Sequence, residues 1–347
     1  MKARQFDAER ATRGGSSASR RNVVLFTALC CASVALAVGY GVHAAVRDGQ
    51  ENQAVGRPAA DLAAVRSKPR VLFQRSGGLA VVPLDDPLAA QAPTAFGCDR
   101  VDFVQGLGVC LTSRKNIISP SQVIVFDRYF HVVHTLGVPG LPSRVRMSPD
   151  GRWAAVTTFV DGHSYAAEFF STKTVIVDVE RGEIVHDLER FTVFRNEQRF
   201  SAVDFNFWGV TFTEDSNRFY ATLGTSDHRY LVEGNLAAAT LKVLRDDVEC
   251  PSLSPDGRQI AFKRRVRSGI GPVTWRLSVL DLQTMQDTAL AETASVDDQA
   301  EWLDDDQVLY GIRPGGGATD TWAVPADGSG SPRLFLPGAS SAVVVKE

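Results

Sequence analysis

Two ten-residue stretches, 106 positions apart, are nearly the same. Met147-Ser148-Pro149-Asp150-Gly151-Arg152-Trp153-Ala154-Ala155-Val156 matches Leu253-Ser254-Pro255-Asp256-Gly257-Arg258-Gln259-Ile260-Ala261-Phe262. Eroded copies start at Phe212 (Phe212-Thr213-Glu214-Asp215-Ser216-Asn217-Arg218) and at Trp302 (Trp302-Leu303-Asp304-Asp305-Asp306-Gln307-Val308). The unit has a physical meaning. An apolar residue ends one strand. Proline then presets φ, aspartate bonds nearby amides and glycine accepts positive φ, so Pro149-Asp150-Gly151 and Pro255-Asp256-Gly257 are structural turns. A β-rich run follows in the reverse direction, and each unit continues into a third strand: Lys173–Val179, Arg229–Leu236, Trp275–Leu282 and Thr321–Pro325. A fourth apolar run usually follows, such as Ile184–Leu188. Four short strands per repeat, without a long amphipathic helix between them, describe propeller blades.

The starts at Met147, Phe212, Leu253 and Trp302 are 65, 41 and 49 residues apart, against a blade period of about 40–50 residues. The long first interval implies an insertion, within residues 159–172 or 189–206. One period before Met147 lies Phe103–Leu111, strand-like but without the turn signature, with outer strands at Val123–Phe126 and His131–Leu136. One period after Trp302 lies Ala342–Val345, a single strand, while Arg70–Gln74 and Leu79–Leu84 are spare strands at the other end. An open blade would leave unpaired strand edges. Sharing one blade between both ends of the run removes them and gives an all-β, six-bladed β-propeller over residues 70–347, with seven blades as the alternative. The Ser-Pro-Asp-Gly-Arg-x-[Ile/Ala]-Ala turns resemble the repeats of TolB-like (WD40-like) propellers, and similar repeats occur in the propellers of prolyl-oligopeptidase-type enzymes. The resemblance covers roughly residues 70–347. It implies an exported module used for protein–protein contact, and no particular ligand, since one fold hosts many functions.

Ahead of the repeats, residues 22–46 contain no Asp, Glu, Lys or Arg. The apolar run Val23–Val42 is long enough as a helix to cross the ~30 Å hydrocarbon layer. Arg20 and Arg21 precede it, while Arg47, Asp48 and Glu51 follow. The positive-inside rule then leaves residues 1–21 as a basic cytoplasmic tail, makes 22–46 a transmembrane signal-anchor and puts the rest outside. A buried helix of the soluble fold and a cleaved signal peptide, with a small-residue site at Val42-His43-Ala44, are the alternatives; the run exceeds the usual ~7–15-residue signal core. Arg20-Arg21 fits a twin-arginine export signal poorly, and Thr27-Ala28-Leu29 before Cys30 does not make a lipoprotein site, so Cys30 and Cys31 read as apolar membrane residues. Residues 47–69, polar, alanine-rich and broken by Pro58 and Pro69, read as a linker. The expected localisation is a cell membrane, single-pass, in a bacterium whose arginine preference over lysine hints at a GC-rich genome.

Charge excludes one class of partner. Residues 1–46 carry six basic side chains against two acidic ones, so of a net −3 the remainder holds −7. A mildly acidic body lacks the clustered positive charge that nucleic acid requires. The expected partners are the membrane, through residues 22–46, and a protein or small molecule of unknown identity.

The residues do not assemble a catalytic constellation. The Gly-x-Ser-x-Gly of a hydrolase is absent. His131 and His134 would point to opposite faces of a strand, and His43, His163, His186 and His228 lack metal-ligand spacing. The acidic groups Asp85-Asp86, Asp246-Asp247, Asp297-Asp298 and Asp304-Asp305-Asp306 do not match a calcium-loop pattern and read as solvated turns. Gly315-Gly316-Gly317 reads as a blade loop, not a phosphate loop. No catalytic residue, metal site or cofactor is therefore assigned. Phe205, Phe207 and Trp208, after the basic-rich stretch Arg190–Arg199, either form a recognition loop or pack between blades. Outside the cytoplasm, where disulfides persist, Cys98 and Cys110 form the expected pair; the alternative is that these two and Cys250 are buried thiols. The function expected is a binding or scaffold module of the cell envelope, the alternative being a lactonase-like hydrolase with a metal held in the central channel by side chains from several blades.

Overall fold

The computed structural model describes residues 60–113, 120–160, 171–266 and 273–346, together with Phe26. The readings on residues 1–21 and 22–46, on most of the 47–69 linker, and on His43 and His163 lie outside these residues. The chain divides into two units, Met1–Pro58 and Ala59–Glu347. Among the described residues no helix is long and apolar enough to cross a membrane.

The second unit is a ring of six sheets. After a short helix α1 (Leu62–Arg66), blade 1 takes β1 (Arg70–Arg75), β2 (Gly78–Pro83) and β3 (Ala92–Gly97). Blade 2 is β4 (Arg100–Val104), β5 (Leu107–Ser113), β6 (Ser121–Asp127) and β7 (Val132–Val138). Blade 3 is β8 (Leu141–Met147), β9 (Trp153–Val160), β10 (Ser171–Asp178) and β11 (Glu183–Asp187). A hairpin, β12 (Thr192–Arg195) and β13 (Gln198–Phe200), precedes blade 4, which is β14 (Asn206–Phe212), β15 (Arg218–Thr225), β16 (His228–Asn235) and β17 (Thr240–Asp246). Blade 5 is β18 (Glu249–Leu253), β19 (Gln259–Val266), β20 (Thr274–Asp281) and β21 (Asp287–Ala289). Blade 6 is β22 (Glu301–Trp302), β23 (Gln307–Ile312), β24 (Asp320–Pro325) and β25 (Arg333–Leu336), and the chain returns as β26 (Ser340–Val345).

β26 pairs antiparallel with β1, Val345 opposite Arg70 and Val343 opposite Leu72, and becomes the inner strand of blade 1. The inner strands β26, β4, β8, β14, β18 and β22 each touch the next, and β22 returns to β26. Six blades thus close on a strand from the far end of the fold, which covers the edge of β1 and gives blade 1 its inner strand.

Each gap between neighbouring blades holds an apolar cluster. Val109, Val125, Val156 and Val177 fill the gap between blades 2 and 3; Ile260, Phe262, Tyr220 and Leu231 fill that between 4 and 5. Both faces of a middle strand are therefore covered, which is why Phe219–Ala221 or Ala154–Val156 read as unbroken apolar runs rather than alternating ones. The outermost strands face solvent, and β11 is exposed along Glu183–Val185.

The repeated turn owes its persistence to a fixed set of hydrogen bonds. Gly151 N–H donates to Ser148 O (2.9 Å) and Ser148 N–H to Trp153 O (2.8 Å). Ser148 Oγ accepts from Trp153 N–H at 2.9 Å, and Asp150 Oδ1 accepts from Arg152 N–H at 3.0 Å. Ser254, Asp256, Gly257 and Arg258 repeat the arrangement within 0.1 Å. Thr213 and Asp215 replace Ser and Asp in the eroded copy, where Thr213 Oγ1 donates to Asp215 Oδ1 at 2.7 Å. Gly151 and Gly257 sit at φ +73° and +72°, the conformation for which the turn needs glycine. Neighbouring turns also bond: Asp150 N–H donates to Ser216 Oγ (3.3 Å) and Asp256 N–H to Asp305 Oδ1 (3.0 Å).

The long interval in the repeat divides between residues 161–170, outside the described residues, and the β12–β13 hairpin, which lies within the predicted 189–206. β12 runs parallel to β17 and widens blade 4 to six strands. The linker differs from expectation at its end. Asp61 caps α1 through Ala63 N–H (2.9 Å) and Val65 is buried, so residues 60–69 pack on blade 1 rather than tethering it.

Candidate functional site in the central channel

Polar side chains at alternate positions of the inner strands meet on the axis. Arg100 and Asp102 come from β4, and Arg144 and Arg146 from β8. Asp298, Gln299 and Glu301 come from the segment entering blade 6. Arg146 pairs with Glu301 in a very short contact and also donates to Ala300 O (3.1 Å). Blades 3 and 6 are three places apart in a ring of six, so this pair spans the channel. Arg144 lies 3.6 Å from Asp298 along the same line. Gln299 Nε2 donates to Val210 O (3.2 Å) and Pro251 O (3.1 Å), carbonyls at the bulges of blades 4 and 5.

Burial sets the electrostatics. Asp102 is 4 % exposed; burial raises its pKa, opposed by Arg146 and by the backbone amides of Met147 (2.7 Å) and Phe103 (2.8 Å). Burial likewise raises Glu301, with Arg146 opposing and Asp102 adding to the rise. Burial works against the charge on Arg146, but Glu301 and Asp102 outweigh it and hold its pKa above the ordinary value. Two carboxylates thus share one guanidinium. Around Arg144 a second group forms: Lys263 pairs closely with Asp297, and the buried Cys250 thiol is pushed up by burial, with Lys263 and Arg144 opposing. Arg100 donates to Ser143 O (2.8 Å), and burial lowers its pKa despite Asp298. A cavity of about 50 Å³, room for a few waters, lies among Arg100, Arg144, Arg146, Asp298 and Glu301.

Among the described residues no three His, Cys, Asp or Glu side chains converge to hold a metal ion. The channel carboxylates are committed instead to cations or backbone amides. Asp297 is exposed (61 %), as the solvated-turn reading expects, while it pairs with Lys263, whereas Asp298, 24 % exposed, lies beside Arg144 in the channel. Arg100, Asp102, Arg144, Arg146 and Glu301 escaped the sequence reading altogether. The available signal was charge at i and i+2 on strands whose neighbours are buried: Arg100/Asp102 and Arg144/Arg146.

The residues singled out from sequence lie elsewhere. Pro149, Asp150, Gly151, Pro255, Asp256 and Gly257 make turns beyond the ends of β8 and β18. Cys98 and Cys110 are joined by a disulfide, Cα atoms 5.8 Å apart, within the cluster between blades 1 and 2. His131 precedes β7 rather than lying in it and bonds Asp127 (3.2 Å), while His134 bonds Glu180 O (2.8 Å). Phe207 and Trp208 are buried and Phe205 packs against Phe200 and Phe207, so these aromatics belong to the core of blade 4. Outside the channel, a groove of about 460 Å³ lies beside β11, walled by Val138, Val175, Ile184, Val185 and Phe191 and edged by Arg190. Ile184 is 46 % exposed there.

A closed ring of six sheets, five of four strands and one of six, with a composite first blade, defines a six-bladed β-propeller. No protein-family model and no curated protein matches the chain. Solved structures do. TolB from Acinetobacter baumannii superposes with a TM-score of 0.51 at 14 % identity, over 80 % of this chain and 66 % of that one. A chain of a nidogen/laminin complex gives 0.53 at 10 % identity, over 80 % and 98 %. A putative TolB from Agrobacterium tumefaciens gives 0.48 at 12 %, over 78 % and 88 %. The chain spans just under two thirds of the Acinetobacter protein. At such identities the likeness is one of fold.

Proposed function

We propose that the protein is an extracytoplasmic propeller, anchored through residues 22–46, that acts as a protein- or ligand-binding scaffold of the cell envelope. The observation that carries the reading is the channel. Paired charges span it beside a cavity of only about 50 Å³, which favours recognition on the outer surface. The groove beside β11, with apolar walls and exposed Ile184 and Val185, is a site on that surface suited to a partner.

A photo-crosslinking residue in place of Ile184, in the full chain in its native membranes, tests the reading. A discrete adduct at position 184, competed by the purified propeller, is expected. No adduct there or at Val185 removes the groove from the proposal, and saturable calorimetric binding of a divalent ion would replace the scaffold reading with the metal-hydrolase one.

A further inference from the structure

We propose that the outer rim of blades 1 and 2 rests on the bilayer surface, so that the propeller lies against the membrane in one fixed orientation. This inference rests on the anchor reading above and adds to it a lipid-contacting face. Four observations lead to it.

First, the chain enters the fold at this rim. Ala60 N–H donates to Gln91 O at 3.1 Å, and α1 then packs along β2 and β3. Second, exposed apolar side chains gather there. Leu88, in the same connection as Gln91, is 57 % exposed; Tyr129, Val132 and Val133 on blade 2 are 54, 57 and 48 % exposed. The guanidinium of Arg66, in α1, lies 4.5 Å over the Tyr129 ring, which ties the helix to that patch. Third, the rim mixes aromatic and basic side chains with the exposed carboxylates of Asp61, Asp85 and Asp86, the mixed polarity of a headgroup contact rather than a dry one. Tyrosine favours the headgroup layer, and the long arms of Arg66, Lys68 and exposed Arg128 can lie among apolar groups while their charges meet lipid phosphates. Fourth, the reach is short. Thirteen residues, 47–59, separate the charge-free run from Ala60. They span at most about 45 Å, so this rim stays within that distance of the surface, where weak apolar contacts act at a raised effective concentration.

The test uses the full chain with Cys30 and Cys31 changed to alanine, reconstituted in phosphatidylcholine–phosphatidylglycerol vesicles. Val133→Cys carries an environment-sensitive fluorophore. Gln283→Cys, on the exposed rim of blade 5 opposite blade 2, is the comparison site. Alkaline carbonate washing reports the anchor independently. With the chain retained after washing, the fluorophore at 133 should be blue-shifted and quenched by iodide several-fold less than at 283. Equal quenching at both positions in carbonate-resistant chains overturns the lipid-facing rim and leaves the anchor standing. Release of the chain by carbonate overturns the anchor reading and this inference with it.

Discussion

Replacing Glu301 by glutamine puts the cross-channel pair to a quantitative test. The substitution keeps size and shape and removes the charge facing Arg146. The side chains of Arg146 and Glu301 are only 17 and 18 % exposed. Removing one partner of such a buried pair costs about 3–5 kcal/mol, because the remaining charge stays in a poor solvent. Asp102 also faces Arg146, which places the expected loss near the lower limit, about 3 kcal/mol. The folded region has roughly 280 residues, and with about 2.1 cal/mol/K per residue its unfolding entropy is about 0.6 kcal/mol/K, so the melting midpoint should fall by about 5 °C. The double variant Arg146→Met/Glu301→Leu removes both charges and should recover most of that loss, since apolar replacement of a whole buried pair is often neutral or stabilising. Calorimetry and urea unfolding of the three proteins provide the measurement. A Glu301→Gln midpoint within about 1 °C of the parent would refute the argument that this pair ties opposite blades. A double variant far less stable than the single one would refute the claim that the loss comes from an uncompensated charge.

Three further outcomes follow from the same geometry. Burial holds the pKa of Asp102 above that of the unfolded chain, so it binds a proton more tightly when folded. Its contribution is largest below the ordinary carboxylate range of about 4 and declines as pH rises through the folded value; urea titrations should show a flatter decline above pH of about 4 in Asp102→Asn than in the parent. Asp150, Asp215 and Asp256 are lowered and act in the opposite sense, their contribution being lost only as pH falls below about 4. Gly209→Ala would put a Cβ 2.6 Å from Cys250 Cα at φ +65°, whereas Gly257→Ala meets nothing within 4 Å; chemical denaturation should show a loss of about 1–2 kcal/mol for Gly257→Ala from backbone strain alone and a clearly larger one for Gly209→Ala. Deleting residues 340–347 removes β26 with its buried Val343 and Val345; the opened ring should unfold at lower urea and self-associate in sedimentation, and a monomer of parental stability would count against ring closure by this strand.

The architecture was largely legible because local chemistry specifies it. Ser148-Pro149-Asp150-Gly151 and Ser254-Pro255-Asp256-Gly257 fix their own turns through bonds within six residues, so the pattern survives in the linear chain. The spacing of those turns sets the blades, and the single strand at Ala342–Val345 called for a partner at Arg70–Gln74 because a lone strand leaves its backbone donors and acceptors unpaired. The β12–β13 hairpin was bounded only as an insertion, since no local rule says that β12 would lie parallel to a strand 48 positions downstream.

The channel was illegible for a different reason. Arg146 and Glu301 are 155 residues apart and meet only because six wedge-shaped blades place their inner strands around one axis. Asp297-Asp298 looks like any solvated acidic turn until ring closure puts Lys263 and Arg144 beside it. Short-range bonding therefore determined the blade and the count of blades. Long-range packing decided which charges are buried and paired, because desolvation and Coulomb attraction act between side chains whose neighbourhood exists only once the ring is shut.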